Sequence, residues 1–242
     1  MCDQPEATPV RPNLWADRLT SYAFGVQTAI GQKPMHYVVA RRFQSDPPTR
    51  ALTLLFVIRP EILFGTYVRI DESILQGTCE VHTFLPTMAR PLRVAERLVF
   101  DCVPLTDVGY VDLMAWLPPG LEAGGPDDLV CRDRDGAQGA SARTFSYRGS
   151  ADTPTLSICE DVDRRLSMVT VRTVYSGDRQ IRRWEITEGG ESAGETLPRR
   201  IRVSRPQTRH TTEFIRTAPP MHVPPEIFDE TPEILREWIG SH

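Results

Sequence analysis

The stretch Ser21–Ile30, SYAFGVQTAI, decides the fold class, because large apolar residues alternate along it with small or polar ones. Tyr22, Phe24 and Val26 occupy every second position. A side-chain period of two is typical of a β-strand that buries one face. A turn containing Gly and Pro follows, and Met35–Phe43 predicts the returning strand. The pattern therefore predicts an antiparallel hairpin.

The same period recurs along most of the chain. Further strands are predicted at Ala51–Ile58, Phe64–Asp71, Cys79–Leu85, Pro91–Cys102, Leu166–Tyr175, Gln180–Thr187, Leu197–Ser204 and His210–Thr217. Ala51–Ile58 is almost continuously apolar, which is typical of a strand covered on both faces. Ser176–Arg179 predicts a tight hairpin turn. We expect one highly curved antiparallel sheet of about ten strands.

Helices are few, so the expected fold class is α+β and mainly β. They are predicted at Leu14–Leu19, Val108–Leu117 and Pro232–Ile239, the last with Thr231 as N-cap and Gly240 after its end. We expect a single domain over residues 1–242. Within it, 1–20 is an N-terminal segment, 118–142 a flexible loop insertion and 219–242 a tail that carries the last helix.

Composition excludes several classes of protein. Asp and Glu number 32 against 28 Lys and Arg, a net charge of −4, so no basic surface for nucleic acid is expected. The longest apolar run is too short for a transmembrane segment. No signal peptide is visible, which indicates the cytoplasm as the sequence stands, or the bacterial periplasm or envelope if a leader has been removed. Five cysteines without a CxxC pair favour reduced thiols.

Catalytic and metal motifs are weak. Residues 190–194, GESAG, match the G-x-S-x-G nucleophile elbow, but another strand is predicted after Ser192 where the elbow requires a helix, so a hairpin loop is favoured. Cys79 and His82 are three apart, which places them on opposite faces of a strand and not on one metal ion. No metal or other cofactor is predicted.

One acidic cluster lies within an apolar stretch. Asp107, Tyr110 and Asp112 would perform acid–base chemistry if burial raised a carboxyl pKa. The favoured alternative is that Asp107 or Thr106 caps the following helix while Asp112 faces water. A second acidic run, Glu160, Asp161 and Asp163, is interpreted as a solvated strand end.

The order of motifs resembles the LolA-like family of bacterial outer-membrane lipoprotein-sorting proteins. The N-terminal matches are Phe56–Pro60, Gly65-Thr66, Phe84–Pro86 followed by Arg90, Arg93 and Arg97, and then Thr106-Asp107, Tyr110 and Asp112-Leu113. The C-terminal matches are Leu197–Val203, Thr208–Phe214 and Pro224–Phe228. The chain departs from the family pattern at Leu105, Val108 and Gly109, where the family has Gly, Phe and Ser, and at Arg209, where it has Gly.

This resemblance implies an unclosed antiparallel half-barrel with helices over its mouth and an apolar cavity between them. The expected ligand is a lipid, another hydrophobic small molecule, or an acylated protein. The alternative is an intracellular cyclase or isomerase of hydrophobic-metabolite (for example polyketide) biosynthesis that uses the same cavity. The expected cavity residues are Tyr22, Phe24, Val26, Tyr110, Val111 and Trp116. Residues 108–117 would cover the concave face of the sheet as a lid.

Overall fold

The computed structural model describes residues 21–30, 33–44, 48–104, 106–116, 121–123, 140–147, 155–163, 168–192, 195–208, 210–217 and 220–228. The predicted helices at Leu14–Leu19 and Pro232–Ile239 lie outside these residues. Most of the described chain forms β-strands in one sheet.

The strands are β1 Ser21–Ile30, β2 Lys33–Gln44, β3 Arg50–Arg59, β4 Tyr67–Ser73, β5 Thr78–Phe84, β6 Leu92–Arg93, β7 Leu121–Ala123, β8 Ala140–Tyr147, β9 Leu156–Asp163, β10 Met168–Ser176, β11 Arg179–Ser192, β12 Glu195–Arg205, β13 His210–Arg216 and β14 Met221–His222. Within these residues, one α-helix, α1, spans Tyr110–Leu113. Short 3-10 helices span Glu61–Leu63, Glu96–Phe100 and Pro225–Phe228.

Antiparallel pairing connects the strands in the order β6-β5-β4-β3-β2-β1-β13-β12-β11-β10-β9-β8-β7, and β14 pairs with β1. The β1–β13 pair joins the N-terminal and C-terminal halves of the sheet, with Val26 opposite Arg216. The outermost strands β6 and β7 are not paired with each other. The predicted unclosed antiparallel half-barrel is therefore confirmed.

Local sequence patterns account for most of these strands. The β1–β2 register runs without a break from Ser21 opposite Arg42 to Ile30 opposite Lys33, as the period of two predicts. The β10–β11 hairpin turns at Gly177, whose φ of 57° lies in the left-handed region that favours glycine. β3 is buried along nearly its whole length, because each of its faces is covered.

The sheet has an inner and an outer apolar face, each with its own core. The inner core includes Tyr37, Val39, Leu55, Ile70 and Trp184, and it is completed by apolar residues from 99–104 and 106–114. The outer core is smaller and lies under the C-terminal segment; it consists of Ala40, Leu52, Leu54, Phe56, Tyr67, Val223, Ile227 and Phe228. Alternate residues of β3 contribute to the two cores.

Several expectations about the elements are wrong. The predicted strand Pro91–Cys102 is the two-residue β6 followed by a 3-10 helix, and the predicted helix Val108–Leu117 is helical only at Tyr110–Leu113. In the described part of the chain the sheet contains 14 strands where about ten were expected; β7, β8, β9 and β14 are the strands that were not predicted. Of the proposed loop 118–142, the structure describes β7 and the start of β8. Within the described chain, no helix is long and apolar enough to span a membrane.

Candidate functional site

Residues 96–104 and 106–116, which we call the plug, lie against the inner face of the sheet. Plug side chains Val103, Val111, Leu113 and Met114 are each at most 3% exposed and belong to the inner core. The chain itself thus fills much of the concave face. The plug takes the position predicted for the lid, although its helix is shorter.

A compact turn shapes the middle of the plug. The Val103 N–H donates to the Val108 carbonyl at 2.7 Å, and the Thr106 hydroxyl lies 3.2 Å from the Val103 carbonyl oxygen. The Asp107 carboxylate accepts a hydrogen bond from the Thr212 hydroxyl of β13 at 2.7 Å. The turn is therefore attached to the sheet as well as to itself.

Three buried arginines of the sheet donate to plug carbonyls, and Arg41 of β2 is the first. Its Nε donates to the Thr53 hydroxyl at 2.9 Å, which orients the side chain. Its Nη2 donates to the carbonyl oxygen of Leu113, at the end of α1. Arg41 therefore holds the C-terminal end of the plug helix.

Arg172 of β10 holds the middle of the same helix. Its Nη1 donates to the Val111 carbonyl at 2.7 Å, while Nε and Nη2 lie 2.8 and 2.7 Å from Glu160 Oε1. Glu160 is 0% exposed, so the interpretation of this acid as part of a solvated strand end is wrong. A buried guanidinium requires a compensating charge, and Glu160 supplies it.

Arg182 of β11 holds the start of the plug. Its Nη1 donates to the Phe100 carbonyl at 2.6 Å, and its Nε forms a 2.9 Å ion pair with Asp112 Oδ2 whose alignment is too poor for a hydrogen bond. The same carboxylate oxygen accepts the Gly109 N–H at 2.8 Å. A Cβ at Gly109 would lie 2.0 Å from Arg182 Nη2, so this close approach requires glycine.

Glu72 of β4 binds the other end of the plug. Its two carboxylate oxygens accept the backbone N–H groups of Ala115 at 2.8 Å and Trp116 at 3.0 Å. Burial raises the pKa of Glu72 to about 7, and the nearby positive charge of Arg41 and these two hydrogen bonds oppose the rise. Glu72 is therefore a buried acid that titrates near neutral pH.

A cavity of about 300 Å³ lies beside this end of the plug. It is lined by Glu72, Ser73, Ile74, Gly77, Thr78, Cys79 and Trp116. The Trp116 ring contacts Phe43 edge-on, with 5.9 Å between ring centroids. The cavity thus lies between the β4–β5 hairpin and the end of the plug, with walls that are largely apolar and one buried carboxylate.

The structure separates the predicted cavity residues. Trp116 lines the cavity, whereas Tyr110 and Val111 are 5% and 0% exposed within the inner core. Tyr22, Phe24 and Val26 are on β1, opposite Arg41, Val39 and Tyr37 of β2. The side chains of these three β1 residues lie outside the part of the chain that the structure describes.

The predicted acid–base cluster makes structural contacts. Asp107 binds Thr212, and Asp112 binds the Gly109 N–H and Arg182. Burial raises the pKa of Tyr110, and the Thr83 hydroxyl opposes this shift. Asp107, Tyr110 and Asp112 do not line the cavity described above. Asp112 is 1% exposed and does not face water as the capping alternative proposed.

The other motifs fall on the sheet. Ser192 is the last residue of β11 and pairs with Glu195, the first of β12, so GESAG lies at a hairpin as predicted; residues 193–194 lie outside the described chain. Cys79 and His82 are both in β5. Among the described residues, no group of three His, Cys, Asp or Glu side chains could hold a metal ion.

Sequence reasoning missed the arginines and Glu72, although a signal was present. Arg41 continues the alternation of Tyr37 and Val39, and Glu72 continues that of Val68 and Ile70. A charged residue at an inward-facing strand position must find a buried partner. Here the partner is the plug.

Cys159 of β9 is disulfide-bonded, which corrects the expectation that all five cysteines are reduced. Cys79 and Cys102 carry thiols. Because these are the only other cysteines in the described residues, the partner of Cys159 lies outside them.

Comparison with known proteins shows likeness in structure without close likeness in sequence. No protein-family model matches the chain, and no curated protein matches it significantly. A DUF1329 family protein from Desulfovibrio piger is similar, with 13% identity, a TM-score of 0.67, and coverage of 88% of this chain and 90% of that one.

Two further solved structures carry names that bear on the resemblance. An outer membrane lipoprotein-sorting protein domain from Vibrio parahaemolyticus has 12% identity and a TM-score of 0.68, covering 89% of this chain and 91% of that one. A LolA superfamily protein from Nitrosomonas europaea has 13% identity and a TM-score of 0.58, covering 88% and 91%. The chain therefore has the LolA-like fold, an unclosed antiparallel half-barrel whose inner face is covered by the chain's own plug.

Proposed function

We propose that this protein is a carrier that holds an apolar ligand, such as an acyl chain, in the cavity between the β4–β5 hairpin and Trp116. The observation that carries this proposal is the cavity itself, whose walls include Ile74, Cys79 and the Trp116 side chain. An aromatic ring and aliphatic walls favour apolar ligands, and a few polar groups such as Glu72 fix the end of the site.

The size of the cavity favours a ligand with a single acyl chain. Its volume of about 300 Å³ is at the low end of the range for small-molecule sites, about 300–1,000 Å³. A ligand with several acyl chains would need the plug to leave the inner face. Arg172 and Arg182 each form a buried ion pair with Asp112 of the plug, at 3.8 and 2.9 Å, and these pairs oppose that movement, because separating a buried pair costs about 3–5 kcal/mol.

The mouth of the cavity has features that suit transfer of a lipid or an acylated protein. Ile74 and Leu75 at the hairpin tip are 51% and 80% exposed. One structure of the same fold is described as an outer membrane lipoprotein-sorting protein domain, which supports an acylated partner. The Cys159 disulfide supports an oxidising compartment, so we place the carrier in the bacterial periplasm.

Titration with N-phenyl-1-naphthylamine, an uncharged fluorescent apolar probe, tests this proposal. Trp116→Ala should weaken binding by about 2–4 kcal/mol, or at least about 30-fold in Kd, because Trp116 is the central aromatic contact. The variant keeps the backbone N–H that Glu72 binds, so the plug should stay attached.

Ile62→Ala is the matched control, because Ile62 is 84% exposed in the 3-10 helix between β3 and β4 and does not line the cavity. Its affinity should equal that of the wild type. Equal affinity of the wild type and Trp116→Ala, or no binding of the probe by the wild type, would contradict the proposal. Far-ultraviolet circular dichroism should show the same sheet content in all three proteins.

A further inference from the structure

Glu72 belongs both to the cavity and to the attachment of the plug. Its side chain lines the cavity, and both of its oxygens bind the backbone at Ala115 and Trp116. Trp116 also lines this cavity. Protonation of Glu72 removes a buried negative charge but weakens these two hydrogen bonds, so the balance of the two effects acts on Trp116.

The surroundings of Glu72 contain few other titratable groups. Arg41 on β2 is the opposite charge that lowers the pKa of Glu72, and Asp71 on the same strand is the like charge that raises it. The cross-strand neighbours of Glu72 are Ala51 on β3 and Cys79 on β5. The plug hydrogen-bonds to Glu72 through the backbone N–H groups of Ala115 and Trp116. The position of the plug end therefore affects the ionisation of Glu72.

We propose that ligand retention in this cavity is linked to a proton on Glu72: the protonated acid keeps the site closed around the ligand, and the ionised acid favours opening at Trp116 and release. This inference rests on the proposed function. The physical reason is hydration. In the closed site the carboxyl is buried, and an apolar ligand in the cavity removes water from it further. When Trp116 moves away, water reaches the carboxylate and stabilises its charge.

The direction of the pH effect follows from the linkage between proton binding by Glu72 and closure of the site. Burial raises the pKa of Glu72 to about 7 in the closed state, and hydration in the open state returns it toward the ordinary value of 4.5. The closed state therefore binds the proton more tightly, so it is favoured at low pH. This preference for the closed state disappears as the pH rises through 7.

The size of the pH effect is set by the difference between the pKa values of Glu72 in the closed and open states. Each unit of pKa difference corresponds to a factor of ten, so the closed state gains at most about 30-fold between about pH 8.5 and about pH 5.5. We therefore expect the Kd of N-phenyl-1-naphthylamine to rise by about 10- to 30-fold from the lower pH to the higher one. This probe does not titrate in that range.

Glu72→Gln is the test variant, because the amide has the shape of the acid and no charge at either pH. Its Kd should be the same at both pH values. Glu80→Gln is the matched control on β5, since Glu80 pairs with Arg93 at the surface; it should keep the wild-type pH dependence. A wild-type Kd that changes by less than threefold, or a full pH dependence retained in Glu72→Gln, would overturn the inference.

A measurement without ligand separates this inference from the proposed function. The indole ¹⁵N–¹H resonance of Trp116 should titrate with a midpoint near neutral pH in the wild type and remain fixed in Glu72→Gln. Probe binding that is independent of pH, together with a resonance that does not titrate, would overturn the proton linkage and leave the carrier function standing. Failure to bind the probe at either pH would contradict the carrier function instead, and with it the linkage that rests on it.

Discussion

Replacing Gly109 by alanine is expected to destabilise the protein by about 2–4 kcal/mol, although only one methyl group is added. The backbone at this position is not the cause, because its φ of −80° suits any residue. The added Cβ would lie 2.0, 2.3 and 2.6 Å from Nη2, Cζ and Nη1 of Arg182. The guanidinium or the plug must therefore move.

Either movement lowers the free energy of unfolding. Arg182 is 2% exposed, and its guanidinium is held between the Phe100 carbonyl and the Asp112 carboxylate. Moving it separates a buried ion pair, at a cost of about 3–5 kcal/mol. Moving the plug turn instead overpacks the core, at a cost of about 1–3 kcal/mol, and weakens the hydrogen bond from the Gly109 N–H to Asp112, at about 1 kcal/mol more. The smaller of these two costs sets the expected loss. For a chain of this length the expected loss corresponds to a fall in Tm of roughly 4–16 °C.

Urea unfolding followed by circular dichroism measures this loss. Gly189→Ala is the matched control, because a Cβ there meets nothing within 4 Å, and its free energy of unfolding should stay within about 1 kcal/mol of the wild type. In an Arg182→Met background, Gly109→Ala should cost less than about 1 kcal/mol, since the overlapping group is gone. A cost below about 1 kcal/mol in the wild type, or equal costs in the two backgrounds, would refute the reasoning.

Two further predictions concern residues outside the cavity. Ser192→Ala should leave probe binding unchanged, and a fluorophosphonate should not label Ser192, because the residue ends a strand at a hairpin; labelling detected by mass spectrometry would contradict this. Cys159 should react with iodoacetamide in the unfolded protein only after reduction, whereas Cys79 and Cys102 should react without it. Peptide mapping of the unreduced protein should link Cys159 to Cys2 or Cys131; a Cys159 alkylated without reduction would contradict the disulfide.

The strands were predictable because their signal is local. The alternation in Ser21–Ile30 and the apolar run of β3 each reflect which faces of the sheet are covered. The prediction of a helix over the whole of Val108–Leu117 was wrong because the apolar pattern there does not come from local structure. Its apolar residues are enclosed on several sides between the sheet and the plug turn, so their spacing reports burial and not a helical period.

The partners of the buried charges could not be predicted because their contacts join distant parts of the chain. Arg41 binds a carbonyl 72 residues away, Arg172 one 61 residues away, and Arg182 one 82 residues away. No local pattern encodes such pairs. The resemblance to LolA-like proteins did indicate the fold, and Trp116 was predicted as a cavity residue from its place in an apolar stretch before a proline pair.

Photo-crosslinking locates the ligand site most directly. The purified protein would be incubated with a fatty acid that carries a diazirine near the end of its chain, irradiated, digested and mapped by mass spectrometry. The account predicts labels on the peptides that contain Ile74–Cys79 and Trp116, and predicts that excess unlabelled fatty acid removes them. Competed labels confined to other regions, such as the outer face around Phe228, or labels that excess fatty acid does not reduce, would contradict the account.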